Sequence, residues 1–137
     1  MLMESSQSAE TQLGPDVIKL ELPANSRFLG TLRGLARSLA AQCDLTVDDL
    51  EDLQMAVDEA FVLLMPYAVE GVSIVTAEFC LASGQVDVAV SLPSDRTEQP
   101  DQGGLSWTVL EALTEQVTVD SGAGRMTIRF TKRRETA

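Results

Sequence analysis

Residues 46–68 read TVDDLEDLQMAVDEAFVLLMPYA, and this stretch predicts one long helix. Thr46 followed three residues later by Asp49 has the pattern of a capping box, in which each side chain binds the backbone N–H of the other residue. Three further carboxylates, Asp48, Glu51 and Asp52, add negative charge at the helix N-terminus, where the macrodipole favours it. The sequence therefore specifies the start of this helix well.

The apolar residues of this stretch change their pattern halfway along. Up to Glu59 they recur at spacings of three and four, which is typical of a helix with one buried face. From residue 60 to residue 65 no polar side chain occurs, so we expect this half to be buried on all sides until Pro66 ends or kinks the helix. Such a helix belongs at the centre of a two-layer domain. Its buried stripe comprises Leu50, Leu53, Val57, Phe61 and Leu64.

The remaining elements follow from hydrophobic periodicity and from turn residues. Alternating, β-branched segments predict strands, spacings of three and four predict helices, and clusters of Gly, Pro, Ser and Asp mark the loops. Runs of strands without an intervening helix indicate antiparallel pairing, so the order predicts an α+β two-layer sandwich. Its mixed, mostly antiparallel sheet is covered on one face by about three helices. The predicted strands are 16–22, 71–81, 85–92, 116–120 and 125–131, and the other helices run from 25 or 26 to 42 and from 105 to 114.

Composition sets the class of protein. The chain has 137 residues, which suits one domain, assigned here to 16–134 with tails at 1–15 and 135–137. No apolar run reaches the ~20 residues that cross a bilayer and no secretory signal pattern occurs, so a cytoplasmic location is expected. The net charge of -11 argues against direct binding of DNA or RNA, and the absence of histidine excludes imidazole-based catalysis and metal binding. Cys43 and Cys80 are expected to be buried free thiols.

Two positions carry candidate chemistry, and each has a plainer alternative. Asp58 and Glu59 lie where the polar half of the helix meets the apolar half, and a partly desolvated carboxylate there can act as a base. A solvated pair on the helix surface is the more common situation. Gly103 and Gly104 lie just before the predicted helix at 105–114, and the free backbone N–H groups at the start of a helix can bind a phosphate. A plain turn from a loop into a helix is as common an explanation for two glycines. The single tryptophan, Trp107, is expected to be a partly buried anchor.

Two segments, residues 32–60 and residues 103–119, resemble the anti-sigma factor/serine-protein kinase family of the GHKL ATPases. They read LRGLARSLAAQCDLTVDDLEDLQMAVDEA and GGLSWTVLEALTEQVTV, and the run LEDLQMAVDEA is similar to the N-box helix of that family. The resemblance extends over about residues 16–134 and implies the Bergerat, or histidine kinase-like, ATPase fold. Members typically hold a stress or sporulation sigma factor inactive, and many phosphorylate an anti-anti-sigma protein on serine with Mg-ATP.

Carried over residue by residue, the resemblance places Glu59 at the position of the family's general base. Leu63 stands where the family has an asparagine that ligates magnesium, and an alkyl side chain offers no lone pair to a metal that demands oxygen ligands. The resemblance therefore implies that the metal site is broken in this chain, and we expect no bound metal.

The nucleotide motifs also depart from the family pattern. Leu92 and Ser94 stand in place of the aspartate that recognises adenine and of the glycine that follows it, although Asp95 lies close behind. The glycine motif is partly retained, and its positions read Gly103, Gly104 and Ser106. Adenine recognition and phosphoryl transfer depend on such groups. We therefore expect a pseudokinase without enzyme activity or cofactor, in which ATP and magnesium are bound only if the chain is an active kinase after all.

The expected function is that of an anti-sigma factor, or of a regulator derived from one, that sequesters an alternative sigma factor in a bacterial stress response and releases it by partner exchange. Negative charge suits a basic partner. The family's sigma contact aligns with Arg33, and Arg27 and Arg37 are candidates to extend that patch, although each can equally be a solvated surface arginine. A homodimer is expected, with an anti-anti-sigma protein as a further partner and no nucleic acid or membrane. The alternatives are an active serine-protein kinase and a non-catalytic scaffold or dimerisation domain.

Overall fold

The computed structural model describes residues 16–69, 71 and 73–135, so the predicted tail at 1–15 and most of the one at 135–137 lie outside the described residues. Five strands and three α-helices occur in this part of the chain, and short 3-10 turns precede the first helix and follow the second. No helix in these residues is long and apolar enough to span a membrane. The elements are β1 (Asp16–Pro23), α1 (Leu29–Gln42), α2 (Val47–Leu64), β2 (Ile74–Ala82), β3 (Gln85–Pro93), α3 (Leu105–Leu113), β4 (Glu115–Asp120) and β5 (Arg125–Arg133).

The five strands form one sheet in the order β1-β2-β3-β5-β4, and every pair in it is antiparallel. Side chains alternate between its two faces, so β2 turns Val75, Ala77 and Phe79 into the core, while the other face is open to solvent. The predicted α+β two-layer sandwich is confirmed. The sheet is antiparallel throughout rather than mixed, because β5 inserts between β3 and its own hairpin partner β4.

α2 begins where the sequence predicts and ends at its proline. The Thr46 hydroxyl accepts the Asp49 N–H at 3.1 Å, and the Asp49 carboxylate accepts the Thr46 N–H at 3.2 Å, so the capping box is formed. At the other end the α-helix stops at Leu64, and a 3-10 turn, Met65–Tyr67, follows. Pro66 lacks the N–H that a further helical hydrogen bond requires, which explains the stop.

The C-terminal half of α2 is not buried on all sides, so that expectation is wrong. Val62 is 50% exposed, and Leu63 and Met65 are partly exposed, whereas Phe61 and Leu64 are fully buried. The helices form a single layer on the sheet, and a helix in such a layer keeps one side facing away from the core whatever its sequence. An apolar run therefore does not by itself bury the outer side of a helix.

The start of β2 and the burial of Trp107 also differ from the sequence prediction. β2 begins at Ile74 rather than at residue 71, because Gly71 has a φ of 100° and does not continue an extended strand. Residues 70 and 72 lie outside the described chain. Trp107 is 3% exposed, so it is a core residue of α3 instead of a partly buried anchor.

α1 starts close to its predicted cap. The Asn25 side chain accepts the Arg27 N–H at 2.9 Å and caps the 3-10 turn Ser26–Phe28, from which α1 continues. At the far end of α1, Cys43 is buried with a free thiol, as expected. Cys80, also free, is only partly buried because it lies on the open face of the sheet.

Lys132 is a buried charge between the two layers of the domain. β5 runs on to Arg133, and alternation along the strand turns Lys132 towards the helices, where it is 8% exposed. Its Nζ lies 3.0 Å from an Asp52 oxygen and 3.6 Å from an Asp49 oxygen, and it donates to the Leu113 carbonyl at 2.9 Å. One ammonium group therefore joins β5 to the start of α2 and to the end of α3.

Asp49 is completely buried at the start of α2, yet the fold favours its charged form. Burial raises the pKa of this carboxyl, but the hydrogen bonds from the N–H groups of Glu135 and Thr46 and the charge of Lys132 outweigh burial. The net result is a pKa below the ordinary value.

We expect Lys132→Met to lower the free energy of unfolding by about 3 kcal/mol, because it keeps the apolar stem but leaves the buried Asp49 carboxylate without its countercharge. Arg133→Met is the matched control: this arginine pairs with Glu115 at the surface, and losing such a pair costs below about 1 kcal/mol. Urea unfolding followed by circular dichroism measures both variants. Equal losses would show that Lys132 contributes no more than a surface charge.

We also expect the contribution of Asp49 to depend on pH. Because its pKa in the folded chain is below its unfolded value of about 4, its charge stabilises the fold above that pH, and the stabilisation is lost as the pH falls through the folded pKa. The difference in free energy of unfolding between the wild-type chain and Asp49→Asn should therefore shrink as the pH is lowered from about 7 towards about 3. A constant difference over that range would contradict this assignment.

Candidate functional site

The residues that resemble the family's nucleotide site gather around the second half of α2. Glu59 and Leu63 lie one turn apart on that helix, and the loop 94–104 leads from β3 to the start of α3. This loop is held against the turn that follows α2, because the Tyr67 hydroxyl donates to the Gln99 carbonyl at 3.3 Å. The fold thus brings the end of α2 and the segment leading into α3 together.

The loop 94–104 also contacts two neighbouring turns, the one after α2 and the one between β4 and β5. The Arg96 guanidinium lies 5.3 Å from the centre of the Tyr67 ring, which is a cation–π contact next to the end of α2. The Ser121 hydroxyl, in the turn between β4 and β5, donates to the Thr97 carbonyl at 3.1 Å. The loop therefore closes over both Tyr67 and the β4–β5 turn.

The start of α3 already holds a carboxylate of the chain itself. Asp101 Oδ1 accepts the Gly103 N–H at 2.8 Å, so the prediction of free N–H groups is wrong for Gly103. The Asp101 oxygens lie 3.3 Å and 3.6 Å from where a Cβ on Gly103 and on Gly104 would stand. The glycines leave room for a negative group near the helix N-terminus, and Asp101 fills it. This residue is missing from the sequence prediction, although an aspartate two positions ahead of a glycine is a recognisable Asx-turn pattern.

Asp58 and Glu59 are neighbours in sequence but lie in different environments. Asp58 Oδ2 accepts a hydrogen bond from the Arg33 guanidinium of α1 at 2.8 Å, and its other oxygen is buried without a hydrogen-bond partner in the described chain. Glu59 is partly buried, and it forms no ion pair among residues 16–69, 71 and 73–135. Of these two carboxylates, Glu59 is the one that is free to accept a proton.

The three arginines expected to contact a partner do not form one free patch. Arg33 is tied to Asp58, and Arg37 lies one turn farther along α1, where its Nη1 is 3.5 Å from the Gln54 amide oxygen of α2. Arg27 lies in the turn before α1, with its guanidinium 5.0 Å from the ring of the next residue. Arg33 and Arg37 therefore line the groove between α1 and α2, and Arg27 belongs to a different element.

The residues at the family's nucleotide positions do not fit a magnesium nucleotide in the way the family holds one. Leu63 packs against the core and offers no oxygen, and Leu92 is fully buried between the sheet and the helices. Asp95 is exposed in the loop. Among the described residues, no cluster of three or more His, Cys, Asp or Glu could hold a metal ion. A nucleotide bound here would need contacts other than those of the family.

The open face of the sheet is polar, internally paired and separate from these residues. A cavity of about 500 Å³ on it is lined by β2, β3, β4 and β5 and includes Asp87 and Arg129. Thr131 donates to Asp87 across the strands at 2.7 Å, and Arg125 donates to Ser91 at 2.9 Å. Such cross-strand pairs suit the solvated face of an antiparallel sheet. The candidate catalytic residues all lie on the helical side.

No protein-family model matches the chain. It is similar to the protein named serine-protein kinase RsbW of Bacillus velezensis, with 28% identity over 137 residues that cover 85% of this chain and 85% of that protein. The proteins of the same name from Bacillus subtilis and Staphylococcus aureus are each 26% identical over 85% of this chain. Among solved structures, the crystal structure of the RsbU and RsbW domains of Rv1364c from Mycobacterium tuberculosis matches with a TM-score of 0.65 and 22% identity, over 89% of this chain and 35% of that one.

These similarities test two of the predictions made from the sequence, the family resemblance with its fold and the absence of enzyme activity. The family resemblance and the histidine kinase-like fold are confirmed, the fold by the match to a solved structure. The expectation that the chain is not an enzyme is wrong, because relatives that match over most of their own length are named as serine-protein kinases. Over most of its length, the chain is therefore similar to the RsbW serine-protein kinases, and it shares the fold of a solved structure that contains an RsbW domain.

Proposed function

We propose that this chain is a serine-protein kinase of the RsbW type that controls an alternative sigma factor. It binds the sigma factor directly, and it phosphorylates a serine of an anti-anti-sigma protein that competes for it. The observation that carries the proposal is the similarity to proteins named serine-protein kinase RsbW over 85% of this chain and 85% of the relative. The shared region is the bulk of both chains.

Glu59 is the residue that we assign to the role of general base. It lies on α2, next to the end that the loop 94–104 covers, and its neighbour Asp58 is engaged by Arg33. A partly buried carboxylate without an ion-pair partner in the described chain can take the proton that a serine hydroxyl loses as it becomes a nucleophile. The local geometry therefore supports proton transfer by this side chain.

The proposal does not require the family's magnesium ligand. Leu63 supplies no oxygen, but magnesium in proteins usually keeps several waters and is bound through substrate phosphates as well as carboxylates. The loss of one protein ligand weakens such a site without removing the oxygens that the nucleotide itself brings.

The charge of the chain supports a basic protein partner. The chain has 21 acidic and 10 basic residues, and opposite charge speeds association and disfavours wrong partners. We extend the proposal to a homodimer that pairs through an edge strand of the sheet, β1 or β4, since an edge strand has unpaired N–H and C=O groups.

The sigma-factor part is tested by isothermal titration of the purified chain with each alternative sigma factor of its source organism. We expect one of them to bind, with an affinity that falls as salt is added, because attraction between exposed opposite charges is screened. The housekeeping sigma factor is the control and should not bind. A folded chain that binds none of the alternative sigma factors would refute this part.

The kinase part is tested by mass spectrometry of phosphoserine on the organism's anti-anti-sigma proteins after incubation with the chain, ATP and magnesium. We expect Glu59→Gln to slow phosphorylation about 10²-fold or more, because an amide cannot accept the serine proton. Glu111→Gln, which changes an exposed carboxylate of α3, is the matched control and should keep the rate. No phosphoserine with the wild-type chain, or equal rates in all three proteins, would refute this part.

A further inference from the structure

The outer side of α2 carries a row of side chains of which the proposed chemistry uses only one. Met55 and Val62 are each 50% exposed, and they lie two turns apart on the same side of the helix. The row also contains Asp48, Glu51 and Glu59, so its members are spaced by three or four residues throughout. Large apolar side chains scattered singly over a surface are ordinary, but these two lie on one line with carboxylates between and beside them. We call these five residues the outer row.

All the charged side chains of α2 are negative. The helix contains six carboxylates and no lysine or arginine. Three of them are paired within the domain, since Asp49 and Asp52 contact Lys132 and Asp58 contacts Arg33. The other three are the carboxylates of the outer row, and they form no ion pair in the part of the chain that the structure describes. The row therefore combines exposed hydrocarbon with unbalanced negative charge.

The spacing of the outer row is that of one half of a seam between two helices. In such a seam, apolar side chains recur at spacings of three and four residues, and flanking charges select the partner helix. The outer row supplies two of these apolar positions, Met55 and Val62, and carboxylates occupy the positions between and beside them. Met55 suits this position because its flexible thioether adapts to different partner side chains. A helix that completes the seam must carry apolar side chains at a matching spacing, with Lys or Arg opposite Glu51 and Glu59.

The groove of α1 is less suited to receive a partner. Arg33 and Arg37 already contact Asp58 and Gln54 of α2, so a partner that binds these arginines must replace existing contacts. A partner that binds the outer row replaces only water. New contacts on the outer row therefore cost the domain none of its own.

We propose that the outer row of α2 is the docking surface for a basic amphipathic helix of the bound sigma factor. The identity of the partner rests on the proposed function, whereas the chemistry of the helix follows from the row itself. Charge complementarity selects this occupant. A second copy of the chain would bring an α2 of the same negative sign, and a nucleic acid would bring phosphates, so both would be repelled.

The first experiment uses the full chain and the sigma factor identified by titration. Met55→Lys and Val62→Lys should each weaken sigma binding about tenfold or more, because each removes apolar contact and places a positive charge against a basic helix. Both side chains are half exposed and lysine is a good helix former, so the variants should fold, which circular dichroism checks. Ile74→Lys is the control, because Ile74 is also exposed, at 37%, but lies on the open face of the sheet in β2, which is not an edge strand. Its affinity should equal that of the wild-type chain.

The outcomes separate this inference from the proposed function. If the sigma factor binds and neither Met55→Lys nor Val62→Lys weakens it more than the control, the docking surface is wrong and the proposed function stands. If Met55→Lys turns a dimer into a monomer in light scattering without the sigma factor, the outer row is a self-association surface, and the proposal is overturned as well.

A synthetic peptide tests the surface even if no sigma factor binds. A fluorescent helix of about 20 Leu and Lys residues, with Leu on one face and Lys on the other, is titrated beside a peptide of the same composition in scrambled order. We expect the amphipathic peptide to bind the wild-type chain about tenfold more tightly than it binds Met55→Lys, and the scrambled peptide to show no such difference. Equal binding of the amphipathic peptide to both proteins would overturn the proposal.

Discussion

The contact between Lys132 and the aspartates at the start of α2 is the constraint on which the rest of the structure depends. A charge removed from water must be paired and hydrogen-bonded, because an isolated one is far too costly to bury. Lys132 finds its partners in Asp49, Asp52 and the Leu113 carbonyl, and these belong to two different helices. Apolar packing alone tolerates small shifts between layers, but three oxygens around one ammonium fix where α2 and α3 lie over β5.

α2 is consequently held at both of its ends. The capping box and the Glu135 N–H, which donates to Asp49 at 3.1 Å, tie down its first turn. At its other end, Pro66 stops the helix, and the hydroxyl of Tyr67 holds the loop 94–104. The stretch in between, with Glu59 on it, is presented on a rigid element. A general base and a docking surface both benefit from such presentation, since less freedom is then lost on binding.

Structural features that depend on residues close together in sequence can be predicted from the sequence. Features that depend on contacts between residues far apart in sequence cannot. The cap at Thr46, the stop at Pro66 and the alternation of the strands follow from local chemistry, so the order of elements and the fold class follow as well. Lys132 belongs to a run of three basic residues, 132–134, and only the pairing of β5 with β3, which continues to Arg133, turns its side chain inward. The exposure of Val62 depends likewise on how many layers the domain has.

The candidate site shows the same division. The place of Glu59 on a central helix follows from the sequence and the family resemblance, whereas its freedom from ion pairs in the described chain depends on Arg33 reaching across from α1 to Asp58. Asp101 is different, because it lies two residues before Gly103, so its Asx turn is a local pattern that the sequence carries and that the prediction missed.

Glu59 belongs to both proposals, and this links them. In the outer row it lies four residues after Met55 and three before Val62, so a helix docked along the row passes over its carboxylate. On these assignments, one α2 cannot hold the sigma-factor helix and accept a proton from a serine of the anti-anti-sigma protein at the same time. Sigma binding and phosphorylation then become alternative uses of a single face. Competition between the two partners follows from their overlap on α2, and it requires no change in the conformation of the domain.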